Sequence, residues 1–240
     1  MARLFVSDVH LDAGAPESIE QFLSFLEVHA RPAEALYILG DLFESWIGDD
    51  DADPGKARVA AALRGLTATG VAAFIMHGNR DFLLGSDFCQ RTGCALLVDP
   101  TLVELDGERV LLTHGDALCT DDRAYQRLRS SVRTPAWQQR FLGLPLPTRE
   151  HLAQQARADS QVHTARVVRE IMDVNASAVE KSFRALAVRR IIHGHTHRPA
   201  IHHILIDGES AQRIVLGAWY EQGSYLWYER GGFELRELPR

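Results

Sequence analysis

Five short apolar runs punctuate the chain, and each stops abruptly on residue types that ligate metals. Leu4-Phe5-Val6 runs into Ser7-Asp8-Val9-His10, and Leu36-Tyr37-Ile38-Leu39 into Gly40-Asp41. Phe74-Ile75-Met76 precedes His77-Gly78-Asn79-Arg80-Asp81, Val110-Leu111-Leu112 precedes Thr113-His114-Gly115-Asp116, and Ile191-Ile192 precedes His193-Gly194-His195-Thr196-His197. Uninterrupted apolar runs of this length suit strands covered on both faces. The loops at the carboxyl ends of such strands are where α/β proteins place their chemistry.

Between the first runs the period changes. Pro16, Ile19, Phe22, Leu23 and Leu26 have helical spacing with a proline near the start, and Val59, Leu63 and Leu66 predict a second helix ending near Gly70. A strand from Val71 to Met76 follows, so the first part alternates strand and helix, the signature of a parallel α/β arrangement. From Leu102 to Leu112 the pattern becomes a hairpin about Asp106-Gly107. Strands are expected near Ile201 to Ile206, Arg213 to Leu216, Ser224 to Tyr228 and Phe233 to Leu238, with turns at Asp207-Gly208 and Gly231-Gly232. A parallel first half and a hairpin-rich second half predict two mixed sheets packed together, in one domain spanning 1–240. The run Gly48-Asp49-Asp50-Asp51-Ala52-Asp53 reads as a solvated acidic loop, since consecutive side chains point apart.

A segment from about Thr120 to Arg190 interrupts the strand order and reads as a helical insertion or lid. It carries 13 Lys+Arg against 7 Asp+Glu, whereas the whole chain has a net charge of -6. Trp137, Phe141, Leu142, Leu144 and Leu146 sit there among Arg133, Arg140 and Arg149. One reading is a helix pair burying its apolar face on the sheet with arginines in water. The other is a greasy, basic cap over the strand ends, suited to an acylated anion near a membrane.

Composition narrows the class. Hydrophobic residues make up 46% and charged residues 24%, as in soluble globular proteins, and the acidic balance argues against nonspecific nucleic-acid binding. Cys89, Cys94 and Cys119 form no CxxC pair, which suits a reducing compartment. The first strand begins too close to Met1 for a secretory signal, and no apolar run approaches the roughly 20 residues that span a bilayer. The expected location is therefore cytoplasmic, with membrane-surface contact permitted.

The strand ends define a candidate ligand set: Asp8, His10, Asp41, Asn79, His114, His195 and His197. Singly, an aspartate there reads as a cap or turn former and a histidine as a core residue. Together they offer only oxygen and imidazole nitrogen, a set that suits Mn²⁺, Fe²⁺ or Zn²⁺ in a site without thiolates. Seven ligands fit two ions better than one, with Asp41 as the expected bridge. The x-spaced pairs Asp8/His10 and His195/His197 put both side chains on one side of an extended segment. His77 and His193 read as neighbours of the ligands; His29, His151, His163, His202 and His203 read as structural or exposed.

The ordered series Asp-x-His, Gly-Asp, Gly-Asn-Arg-Asp, His-Gly-Asp and Gly-His-Thr-His resembles the calcineurin-like metallophosphoesterase superfamily. The resemblance implies a two-sheet sandwich flanked by helices with a two-metal site at the strand ends. Many members carry a histidine, a candidate proton donor, where this chain has Arg80. Ser7-Asp8-Val9-His10-Leu11, Gly40-Asp41-Leu42-Phe43-Glu44, Trp46-Ile47-Gly48-Asp49-Asp50 and Gly78-Asn79-Arg80-Asp81-Phe82-Leu83 are similar to the UDP-2,3-diacylglucosamine hydrolases of Gram-negative lipid A biosynthesis, as is the helical insertion.

That resemblance implies cleavage of the pyrophosphate of UDP-2,3-diacylglucosamine to UMP and 2,3-diacylglucosamine 1-phosphate, with Mn²⁺ held at all seven positions. It implies substrate contacts at Asn79, Arg80, Asp122, Ser160, Thr164 and His195, with Tyr125 and Arg157 as phosphate neighbours. Val167 stands where relatives can place a lysine. Catalysis is expected of Asp41, Asn79, Arg80 and His195. A phosphate leaving group, with a second pKa of about 6, departs without a proton, so a fixed cation at Arg80 suits a pyrophosphate better than a proton donor would. The implied partners are the acylated UDP-sugar and the cytoplasmic face of the inner membrane, with no nucleic acid and no obligate protein. The alternatives are another phosphoesterase of the superfamily, such as a dinucleoside polyphosphate hydrolase or phosphoprotein phosphatase, and a non-catalytic scaffold on the same fold.

Overall fold

The computed structural model describes residues 1–166, 173–220 and 222–238, the side chains of 161–166 excepted. Strand β1 (Arg3–Val6) leads to helix α1 (Pro16–Phe25), which a π-helical turn extends through Ala30. Then come β2 (Ala35–Leu39), α2 (Pro54–Ala68), β3 (Ala72–Met76), α3 (Ser86–Thr92) and β4 (Ala95–Leu97). The four strands pair in parallel, and Val6, Ile38, Ile75 and Leu96 form one row across them. That register brings the ends of β1, β2 and β3 to one edge, so Asp8, Asp41 and Asn79 emerge side by side.

The second half supplies the other sheet. Hairpin β5 (Thr101–Leu105) and β6 (Glu108–Leu112) turns at Asp106-Gly107 as expected. Four helices follow: α4 (Arg123–Val132), α5 (Pro135–Leu142), α6 (Leu146–Arg166) and α7 (Ala176–Leu186). The chain then returns as β7 (Arg190–His193), parallel to β6, with Leu112 opposite Ile192. Two hairpins complete it, β8 (Ala200–Ile206) with β9 (Glu209–Val215), and β10 (Gly223–Glu229) with β11 (Gly232–Leu238). The strand orders are β11-β10-β1-β2-β3-β4 and β5-β6-β7-β9-β8, both mixed.

Alternation along each strand decides the layers. Phe5, Tyr37, Leu39 and Met76 face Val110, Leu112, Ile192 and Ile214 across the gap between the sheets. Leu4, Val6, Leu36, Ile38 and Ile75 face outward instead and are covered by α1, α2 and α3 through Phe22, Phe25, Leu63 and Phe88. Leu111 and Ile191 are covered by Val179 and Phe183 of α7. The result is helix, sheet, sheet, helix.

Three expectations need correction. Helix α3 and strand β4 were not anticipated, because seven and three residues give too little periodicity to read. Strand β9 starts four residues before Arg213, since the turn at Asp207-Gly208 pairs Ile206 with Glu209 directly. The acidic run is not simply solvated: Asp49 accepts from the N–H groups of Gly85, Asp87 and Phe88, Asp53 caps α2 through Lys56 N–H, and Asp50 pairs with Arg149.

Candidate metal centre

Each of the seven proposed ligands sits just past a strand, and five of them hold an unusual backbone. Asp8, His10, Asp41, His195 and His197 have φ between 53° and 67°. The other four non-glycine residues with positive φ are accounted for by turn chemistry: Asp106, Asp207 and Arg230 open hairpin turns, and Ala187 ends α7. A left-handed conformation costs side-chain-bearing residues free energy and persists where surrounding structure over-determines it, often at functional sites. Here it turns five side chains toward one point. Gly194 makes room for them, because a β-carbon there would collide with the Asp8 carboxylate and the Ser7 hydroxyl.

The two central carboxylates are each held by one oxygen and present the other. Asp8 Oδ2 accepts from Ser7 Oγ at 2.5 Å and from the His195 N–H at 2.9 Å. Its Oδ1 is buried, has no hydrogen-bond partner among the described residues, and lies 3.4 Å from His197 Nε2 and 4.0 Å from His10 Nε2. Asp41 Oδ1 accepts from the Arg80 N–H at 2.8 Å, while its Oδ2 lies 3.8 Å from both His10 Nε2 and His114 Nε2. Asp41 therefore stands between two imidazoles, the placement a shared ligand requires. Two overlapping groups, Asp8/His10/His197 and Asp8/Asp41/His114, have ligand atoms within 4.8 Å of one another.

Asn79 joins the second group. Its Oδ1 lies 3.0 Å from His114 Nε2 and 2.9 Å from His195 Nδ1. His114 Nδ1 donates to the Leu39 carbonyl at 2.9 Å, which leaves Nε2 as the nitrogen that faces the amide oxygen. A ring nitrogen and an amide oxygen so placed could serve one cation as ligands. The buried, unpartnered Asp8 Oδ1 and His10 Nε2 make the same point, and the oxygen and imidazole donors fit hard or borderline divalent cations.

Charge follows from burial. Burial pushes the Asp8 carboxyl up, yet its bond to His197 and the charges of His114, His197 and His10 outweigh that and hold it below the ordinary carboxylate range. For Asp41 burial wins over His114 and His10, and its carboxyl is raised. Burial, with the repulsion of His114, lowers His195 to about 3, which keeps that ring neutral and able to ligate.

The remaining expected residues fall into two sets. Arg80, Tyr125, Arg157 and Ser160 line a cavity of about 610 Å³ that also touches Asn79. Its apolar wall includes Phe82, Leu128, Val132, Trp137, Phe141 and Leu152, and Arg129, Arg133 and Arg140 rim it. The Tyr125 hydroxyl donates to Asp116 Oδ2 at 2.6 Å. The Asp122 side chain caps α4, accepting the Tyr125 N–H at 2.9 Å. Arg157 pairs with Asp12 and Glu44. The side chain of Thr164, and all of Val167, lie outside the described residues.

Supporting residues went unread in the sequence. Asp81, fully buried, accepts from the N–H groups of Gly78 and Leu42 at 2.8 Å and so locks the β2 and β3 loops together. Asp116 gathers Tyr125 and Arg129 of α4, and burial of its carboxyl is outweighed by His114, His195 and Arg129, which hold it low. Glu44 contacts His10, and Tyr220 stacks on the His10 ring at 4.8 Å. The first three stand inside or beside the ligand motifs, which is the only signal they carry; Tyr220 carries none.

The profile of the calcineurin-like phosphoesterases matches residues 1–199. The chain is 48% identical over 245 residues to the UDP-2,3-diacylglucosamine hydrolase of Xanthomonas oryzae pv. oryzae strain PXO99A, covering 99% of each chain. It is 48% identical over 239 residues to that of Pseudomonas aeruginosa strain PAO1, and 49% over 247 residues to that of Stenotrophomonas maltophilia strain R551-3, covering 100% of each chain in both cases. Among solved structures, an archaeal phosphodiesterase aligns with a TM-score of 0.52 at 13% identity over 99% of this chain and 100% of its own, a likeness of fold. The ligand-bearing strand ends, the two mixed sheets and the full-length identity agree, and the chain belongs to the calcineurin-like phosphoesterases, within the family of the UDP-2,3-diacylglucosamine hydrolases.

Proposed function

We propose that the protein hydrolyses the pyrophosphate bond of UDP-2,3-diacylglucosamine, giving UMP and 2,3-diacylglucosamine 1-phosphate, with two divalent cations, Mn²⁺ foremost, held by Asp8, His10, Asp41, Asn79, His114, His195 and His197. The observation that carries this reading is a shared wall. Asn79 belongs to the ligand cluster and also lines the large cavity, so an anionic head at the strand ends is continuous with apolar space for its acyl chains. The names of the full-length relatives support the substrate.

Bound divalent cations supply an activated water and charge stabilisation for attack on phosphorus. The chain's residues do the rest. Asp41 holds its shared oxygen in place through the Arg80 N–H, and His195 and His114 offer ring nitrogens fixed by their own contacts. Arg80, with its guanidinium in the cavity wall, faces the leaving phosphate, which needs a cation and no proton. Leu128, Val132, Trp137, Phe141 and Leu152 exclude water from the chains, and the arginine rim meets the sugar phosphate.

No helix among the described residues is long and apolar enough to cross a membrane. Leu128, Leu142 and Leu152 on α4, α5 and α6 are 58%, 40% and 39% exposed, which supports seating of these helices as a lid on the cytoplasmic face of the inner membrane, where an acylated substrate resides.

The test is hydrolysis in ¹⁸O-labelled water with Mn²⁺ added after chelation. The expected products are UMP and the diacyl sugar phosphate, one of them labelled. Turnover of dinucleoside polyphosphates or phosphoproteins with none of the UDP-sugar would move the protein to another branch of its superfamily.

A further inference from the structure

Glu44 joins two parts of the molecule that the proposed reaction needs at once. It follows Asp41 by three residues and is 8% exposed. Its Oε2 lies 2.7 Å from His10 Nδ1. Its Oε1 lies 3.0 Å from Arg157 Nε, on α6, and 3.9 Å from Arg80 Nη1. Arg157 also places Nη1 3.0 Å from Asp12 Oδ2, in the loop that carries His10.

Glu44 Oε2 and His10 Nδ1 stand at ion-pair distance without the alignment of a hydrogen bond, so the carboxylate holds the ring in place by charge and contact and turns its other nitrogen toward the strand-end carboxylates. For His10 the other nitrogen is Nε2, 4.0 Å from Asp8 Oδ1 and 3.8 Å from Asp41 Oδ2. Each oxygen of one buried carboxylate thus serves a different partner: a metal-facing ring and a cation on the helix that roofs the cavity. Without Glu44 the ring could turn, and among the described residues Arg157 would keep Asp12 as its ion-pair partner.

We propose that Glu44 is a positioning residue that couples attachment of α6 to the affinity of the ion site containing His10. The inference rests on the two-ion reading of the strand-end cluster. Such coupling is reciprocal: loading the ions should tighten α6, and releasing α6 should weaken the ions.

The experiment combines Mn²⁺ titration with hydrogen exchange of backbone amides in residues 146–160, on the chelated and the Mn²⁺-loaded full chain. In the parent, two ions bind and loading slows exchange in α6. In Glu44→Gln the weaker ion should bind about 10–100-fold less tightly, exchange in α6 should no longer respond to Mn²⁺, and the far-UV circular dichroism of the ion-free chain should match the parent. In Arg157→Ala, whose side chain is 36% exposed, the exchange response should disappear and the weaker ion should bind less tightly, by a smaller factor than in Glu44→Gln, where the His10 ring is freed as well. Should Glu44→Gln fail to fold, Arg157→Ala carries the test through the exchange response alone. Parent-like Mn²⁺ affinity in Glu44→Gln, or an α6 response that survives in either variant, overturns the proposal. A parent that takes up fewer than two ions overturns the two-ion reading beneath it.

Discussion

The strand-end loops and the helices α4 and α5 are built to opposite specifications. Asp8, Asp41 and His114 are 0%, 1% and 0% exposed, the Asp8 and Asp41 backbones are held in left-handed conformations, and one oxygen of each of these carboxylates is tied to a neighbour. Helices α4 and α5 bury no side chain, and their apolar residues face a cavity. Chemistry at phosphorus needs atoms fixed to about 0.5 Å, which only a packed core supplies. Acyl chains need volume and dryness, which a loosely attached roof can give. Of the two readings of the insertion, burial against a sheet describes α7, while Trp137 and Phe141 of α5 both line the cavity and pack against the core, so that helix shares features of each.

The sharpest way to break the comparison is at Asp41. Asparagine keeps its shape and the bond from the Arg80 N–H, and removes the charge that both His10 and His114 face. Turnover should fall by about 10²–10³-fold, as when one preorganised electrostatic partner is removed, with circular dichroism unchanged. More than a tenth of parental turnover would mean the carboxylate is not shared. Arg80→Ala separates the two regions, because the Arg80 contact to Asp41 is main-chain and survives the substitution. Turnover on the UDP-sugar should fall by about 10²-fold while Mn²⁺ content stays near parental; equal losses in both would place Arg80 in the metal cradle.

The rigid region was the legible one. A buried strand announces itself as an unbroken apolar run, so where Leu39 or Met76 stops, the ligand begins. Register then does what sequence cannot state, and Val6, Ile38 and Ile75 in one row put the following loops together. Which carboxylates support the ligands was not readable, since Asp81, Asp116 and Glu44 differ from surface acids only in tertiary contacts. The bond from Tyr125 to Asp116 is made across the start of the insertion, and no spacing encodes it. The loose region was legible in composition, as apolar residues among arginines, and silent about shape.

The roof should be graded in its response where the cradle is all-or-none. Each methylene removed from the substrate's acyl chains forfeits about 0.8 kcal/mol of burial, about fourfold in kcat/KM, until the chains no longer reach Trp137 and Phe141. Kinetics with a series of chain lengths measures the slope. A flat series would show that the cavity does not receive acyl chains.

The smallest expected effect concerns how α6 is pinned. Arg149 is 2% exposed and donates to the Leu144 carbonyl at 3.0 Å, to the Ile47 carbonyl at 2.6 Å, and to Asp50 Oδ1 and Oδ2 at 2.8 and 2.5 Å. Only the aspartate titrates near the acid range, and its hydrogen bond to Arg149 holds its carboxyl below the ordinary 3.8. A depressed carboxyl stabilises fully above its unfolded value and loses that contribution as pH falls through the folded one. The clamp should therefore be intact at neutrality and weaken below about pH 4, by less than about 1 kcal/mol, because the Asp50 side chain is 59% exposed and screened by water. Asp50→Asn keeps the acceptor oxygen and removes the titration, so its α6 should exchange hydrogen at a rate that changes less between pH 5 and 3 than the parent's, after correction for intrinsic exchange. Matching profiles would assign the pinning to the two carbonyls that Arg149 also holds, neither of which titrates.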